Sequence, residues 1–231
     1  SSPNGRPCIE NLTPQINRIV ARGEGDEQLT KLFTRVGRIQ FMLLMLVLTG
    51  FVFVGEPFIC AWGGEEYGAA YWIALLLIAP VTVPLIQNIG IEIQRAKNMH
   101  QFRSKVYFCM AIGNALVSIP LGMKFGGIGC ALGTAISMVV GNGFIMNWYY
   151  QTHIGLDMRY FWKHILSIVP AMHPAVALGI IAVRLHTFTG YAGVVTFAVP
   201  YAAVYAVGLY LFAMDESEKN MVRGVMRKIR R

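Results

Sequence analysis

IQFMLLMLVLTGFVFVG, residues 39–55, runs without a charge from Arg38 to Glu56. A helix rises about 1.5 Å per residue, so this stretch with its apolar flanks, about 36–62, is long enough for a ~30 Å hydrocarbon layer. Working outward, the pattern returns at about 67–94, 106–123, 126–150, 164–184 and 191–214. Lipid offers backbone groups no partners, so each stretch must satisfy its own as a helix. The expectation is an all-α, polytopic membrane bundle of about six transmembrane helices.

Composition agrees. Hydrophobic residues make up 55% of the 231, charged residues 14%, and the mean hydropathy is +0.50; soluble domains carry about 25% charged residues. The net charge of +8 is spread over short loops. That argues against a nucleic-acid-binding domain and for anionic lipid headgroups as partners. Lys124 and Arg184 fall in loops on one side; every other Lys and Arg falls in the tails and loops of the opposite side. Such an excess stays cytoplasmic, which predicts both termini inside. Trp62 and Trp72 then lie near the outer interface, and Trp148 and Trp162 near the inner one, as an aromatic belt predicts. The expected location is the cell inner (plasma) membrane.

Residues 1–35 read as an amphipathic cytoplasmic segment. Thr13-Pro14 has the pattern of a helix cap followed by Pro at the first position, with Leu12, Ile16, Ile19 and Val20 on one face. Asp26 is positioned to cap a second helix whose face holds Leu29, Leu32, Phe33 and Val36, with Arg18, Arg22, Lys31, Arg35 and Arg38 around these faces. The span region is 36–214, and 215–231 is a basic tail that either lies on anionic lipid or is a solvated topology signal. Asn11-Leu12-Thr13 matches a glycosylation sequon but falls on the side the transferase never meets. The chain begins Ser-Ser-Pro with no signal-peptide pattern, so a fragment or trimmed product is expected.

Few polar residues lie at membrane depth. Pro80 and Pro84 are one turn apart and followed by Gln87, Asn88 and Glu92, a pattern that predicts a kink lining a polar path. Glu92 has Arg95 three residues on as a partner. His173 lies between Pro170 and Pro174, and Asn114 sits mid-span; each reads as a hydrogen-bonding packing residue or a substrate contact. Arg38, at the inner mouth of the first span, reads as snorkelling to headgroups or meeting an anionic substrate. Glu56 reads as solvated. Gly129, Gly133, Ser137 and Gly141 recur every four residues and form a face for close helix packing. Cys8, Cys60, Cys109 and Cys130 have no metal-ligand spacing, and no HExxH, GxSxG or phosphate-loop pattern occurs. No enzyme, metal or cofactor is expected.

The order of motifs resembles a known family. Pro14-Gln15-Ile16-Asn17-Arg18-Ile19 with Gly25-Asp26-Glu27-Gln28-Leu29 is similar to the cytoplasmic loop of polysaccharide and O-antigen flippases of the multidrug/oligosaccharidyl-lipid/polysaccharide exporter superfamily. Trp62 to Ala70 resembles their W-x-G-x-x-Y-x-x-A outer turn. Asn114-Ala115 followed by Gly126 to Thr134 resembles their N…G-x-x-G-x-A-x-x-T pattern. The resemblance covers roughly Pro14 to Met172. It implies the last six spans of a two-lobed transporter, with the amino-terminal lobe absent or on a second chain. It further implies a polyprenyl-pyrophosphate-linked oligosaccharide as substrate and rocking of the lobes as mechanism. A multidrug or cation antiporter of the same superfamily, and a membrane enzyme or scaffold handling prenyl-linked sugars, remain as alternatives.

Overall fold

The computed structural model describes residues 12–22, 25–99, 101–185, 188, 190–216, 218–220 and 223–224; the Asn11 sequon position, Cys8 and most of the basic tail lie outside them. Among the described residues the protein is all-helical, without strands. α1 (Leu12–Arg22) precedes a long α2 (Asp26–Gly63), and the 3-10 turn Glu65–Tyr67 leads to α3 (Gly68–Ile86) and α4 (Ile89–Ala96). α5 (Gln101–Met138) continues through a π-helical stretch Val139–Ile145, α6 (Met146–Tyr149) and a second π-helical stretch Tyr150–Ile154. α7 (Met158–Leu166), the 3-10 turn Val169–Met172, α8 (His173–Leu185) and α9 (Gly190–Phe212) complete the order. Among the described residues five helical runs are long and apolar enough to cross a membrane: Asp26–Gly63, Glu65–Ala96, Gln101–Ile154, Met158–Leu185 and Gly190–Phe212. These runs mark a membrane protein.

The 54-residue run Gln101–Ile154 doubles back on itself. Gly126 sits at φ 61°, ψ −140°, a conformation open to glycine, and reverses the chain. Across that turn the contacts pair in antiparallel register. Thr134 Oγ1 donates to Asn114 Oδ1 at 3.3 Å, Ser118 Oγ lies 3.3 Å from the Cys130 carbonyl oxygen, and the Tyr107 hydroxyl donates to Asn142 Oδ1 at 3.0 Å. The glycine face lies between the arms. A Cβ at Gly129 would stand 2.5 Å from the Leu121 carbonyl carbon, and one at Gly133 2.7 Å from the Ser118 Cα. Backbone cannot turn aside, so these positions need glycine for the arms to meet. Ser137 is half-buried on the same face, and Gly141 packs on Met110.

Local differences from the sequence reading have local causes. α2 runs through Glu56-Pro57 unbroken, with Glu56 exposed. The break in the second run falls at Gln87-Asn88, after Pro84, and not at the prolines themselves. α1 begins at Leu12, ahead of Thr13, and α2 begins at Asp26 itself. The Asp26 carboxylate caps nothing; it receives the Lys97 ammonium, which also donates to the Ile154 carbonyl at 2.7 Å. Met158–Leu166, read as half loop, is helical because Asp157 Oδ1 accepts from the Arg159 and Tyr160 amides, both at 3.0 Å.

The core is concentrated at the end where the charged connections gather. Leu29, Phe33, Ile86, Ile93, Tyr150, Ile154, Phe161 and Ile165 are all buried there. Gly37 on α2 admits Phe161 and the last turn of α3: a Cβ would meet Phe161 Cε2 at 2.6 Å and the Ile86 carbonyl oxygen at 2.9 Å. α1 docks on α4 with Ile16 and Ile19 buried, so its apolar face is covered by protein. At the opposite end Leu116, Met123, Phe125, Trp62 and Leu185 are exposed, as lipid-facing residues are.

Candidate functional site: a polar ribbon at the basic end

The break after α3 and the π-helical stretches around α6 fall side by side. A π turn widens the helix and frees backbone groups from their α-helical partners, and such bulges are frequent at functional sites. Asn147 fills this one. Its Nδ2 donates to the Asn142 carbonyl at 2.9 Å and the Gly143 carbonyl at 2.7 Å. Its Oδ1 accepts from Gln87 Nε2 at 2.9 Å and from the Trp162 indole at 3.0 Å. One amide thus joins α6, the α3–α4 break and α7. The ribbon continues outward through Asn142 Oδ1 to the Tyr107 hydroxyl. That hydroxyl accepts from Arg103 Nη2 at 2.8 Å, and the guanidinium lies over the Tyr107 ring, 4.8 Å from its centroid. Gln87 and Asn142 are buried, while Tyr107 and Arg103 reach the surface.

The other sequence candidates are placed as follows. Asn88 is exposed beside the break. Glu92 accepts from Arg95 Nη1 at 2.9 Å, the spacing expected of an i,i+3 pair. Asn114 lies in the hairpin, away from the ribbon, receiving Ser118 Oγ at 2.6 Å as well as Thr134. His173 is exposed, its Nδ1 2.9 Å from the Pro170 carbonyl.

Arg38 is 5% exposed and has protein partners throughout. Its Nε and Nη2 grip the Glu218 carboxylate at 2.9 and 3.1 Å; Nη1 donates to the His164 carbonyl at 3.0 Å and Nη2 to the Ala213 carbonyl at 2.7 Å. Those carbonyls close α7 and α9, at the negative ends of two helix dipoles. The residue draws α2, α7, α9 and the tail together.

The structure therefore brings Gln87 into the ribbon and leaves Asn114, Glu92, His173 and Arg38 in separate settings. Arg103, Tyr107, Asn142, Asn147 and Glu218 were missed by sequence reasoning. The available signal was Asn142 and Asn147 five residues apart in an uncharged run, the spacing of a π turn. Chemically the ribbon offers amide, hydroxyl, indole and guanidinium groups, which bind and orient by hydrogen bonding. Among the described residues no group of three His, Cys, Asp or Glu could hold a metal ion.

Comparison of the chain with protein-family models, curated proteins and solved structures finds no match.

Proposed function

We propose that this chain is the carboxy-terminal, six-crossing portion of a flippase that moves a polyprenyl-pyrophosphate-linked oligosaccharide across the plasma membrane, with both termini cytoplasmic. The observation that carries the reading is the ordered set of motifs in the sequence. Their positions in the fold support it. The Trp62 to Ala70 motif forms the α2–α3 turn, with Gly64 at φ 100° and α3 starting at Gly68. Asn114, Gly126, Gly129 and Thr134 of the second motif build the hairpin, and two of them share a hydrogen bond. Counting the hairpin as two crossings favours six crossings, with Lys124 and Arg184 at one end and the other described basic residues at the opposite end. The ribbon, at the opposite end from Lys124, suits a polar head carried on a lipid.

The test is deletion of the intact gene in its own cell. The expected outcome is loss of surface polysaccharide, with lipid-linked oligosaccharide accumulating on the cytoplasmic leaflet. Unchanged surface glycan would reject the reading.

A further inference from the structure

Arg38 is held as a receptor is held. Three helices fix it: it grows from α2, and its guanidinium is braced by carbonyls at the ends of α7 and α9. Those braces leave one planar fork, Nε with Nη2, which Glu218 fills through both carboxylate oxygens. A guanidinium fork matches a phosphate as well as it matches a carboxylate.

The occupant comes from a different kind of element. Glu218 sits on the short tail after α9, beyond the non-helical residues 214–215. Its Oε2 also accepts from the Asp215 amide at 2.9 Å. In the tail's other described contacts, the half-buried Lys219 lies 3.6 Å from Glu216 of the same tail and 5.8 Å from the Tyr210 ring centroid, and the exposed Arg223 reaches the Tyr210 hydroxyl at 3.2 Å. Glu216 and Arg223 are exposed, and pairs with an exposed partner hold weakly. The second carboxylate near Arg38, Asp215 at 3.7 Å, belongs to the same tail and would leave with it. A buried ion pair is not needed for stability, since apolar residues of similar volume often serve as well. The receptor is rigid and the occupant is tethered.

We propose that Arg38 forms an anion-binding site at the basic end, that Glu218 is its internal occupant, and that a phosphate group takes the same place when the tail lifts away. The tail is then a latch: Glu218 in place ties α2, α7 and α9 together, and phosphate in place frees the tail. The inference does not rest on the flippase reading, because its test measures binding and not transport.

The experiment is thermal unfolding of the full-length protein in neutral detergent. The wild type is compared with Glu218→Ala and with the double variant Arg38→Met/Glu218→Ala. Inorganic phosphate is titrated in one arm and phosphatidate in mixed micelles in the other, with chloride matching the ionic strength. Glu218→Ala is expected to melt several degrees below wild type and to regain part of that loss saturably, as mass action requires of a ligand bound to the folded state. The double variant is expected to show no regain. Regain with inorganic phosphate points to entry from water; regain with phosphatidate alone points to a headgroup entering from the bilayer. In a protein altered only by Lys219→Cys, phosphatidate or phosphate is expected to speed maleimide labelling as the tail lifts. If Glu218→Ala does not accumulate, Glu218→Gln carries the same titration. Three results overturn the proposal: no anion-specific regain in either arm, an equal regain in the double variant, or labelling of Lys219→Cys that is indifferent to both anions.

Discussion

The hairpin around Gly126 and the basic end around Arg38 hold helices together by opposite means. In the hairpin the closest contact is backbone on backbone, cleared by Gly129 and Gly133 and supplemented by small-side-chain hydrogen bonds such as Thr134 to Asn114, and its outer residues Leu116, Met123 and Phe125 are bare. At the basic end large side chains are buried, and the elements are tied by Asn147, by Lys97 to Asp26, and by Arg38 to Glu218. The difference follows the surroundings. Lipid is as apolar as leucine, so within it helices associate through close van der Waals contact and not through apolar burial. Where loops and tails collect, apolar burial regains its value, and buried polar groups must be partnered.

Substitutions can break each side of this contrast. The largest expected effect is Arg38→Met, which leaves Glu218 buried without its charge partner and takes the guanidinium donors from the His164 and Ala213 carbonyls. A loss of about 3–5 kcal/mol is expected, visible as a large fall in melting temperature and in folded yield. Gly129→Val comes next. The Leu121 backbone cannot yield, so overpacking should cost about 1–3 kcal/mol and splay the hairpin, measured by melting and by faster amide exchange in residues 114–134. Asn147→Leu strands the Gln87 amide and the Trp162 indole at a cost of about 1–3 kcal/mol, with a change in tryptophan emission reporting the freed indole. The smallest effect separates two neighbouring glycines. Gly143→Ala meets only Val139 Cγ1 at 3.8 Å and should be neutral or stabilising by about 0.5–1 kcal/mol. Gly141→Ala presses on Met110, whose Cγ would lie 2.5 Å away, and should lower the melting temperature. Equal melting of these two variants would break the comparison at its most local point.

The hairpin was the more legible half. Its turn falls beside Lys124-Phe125, where the uncharged runs part, and its packing face was visible as a four-residue repeat of small residues. Both are local features, readable because a helix places every fourth residue on one side. The basic end was legible only in pieces. The apolar faces of α1 and early α2 were readable, but whether lipid or protein covered them was not. The α3–α4 break was displaced from Pro80 and Pro84 to Gln87, where an amide partner from α6 is available. The helix over Met158–Leu166 needed its Asp157 cap to be recognised. Arg38 was singled out by its position, yet its partner lies 180 residues further along the chain.

The sequence by itself determined that this is a helical membrane protein, where its apolar runs lie, and that Gly129, Gly133 and Gly141 recur on one face of their helix; Gly37 and Gly90, likewise close to neighbours, carried no such pattern. Those properties follow from hydropathy and helical period, which act over a few turns. Only the tertiary structure decided which polar groups are joined, that α1 docks on α4, and that the tail's carboxylate fills the Arg38 fork. Such pairings depend on where separate elements end relative to one another, and no local pattern in a single chain encodes a distance across the fold.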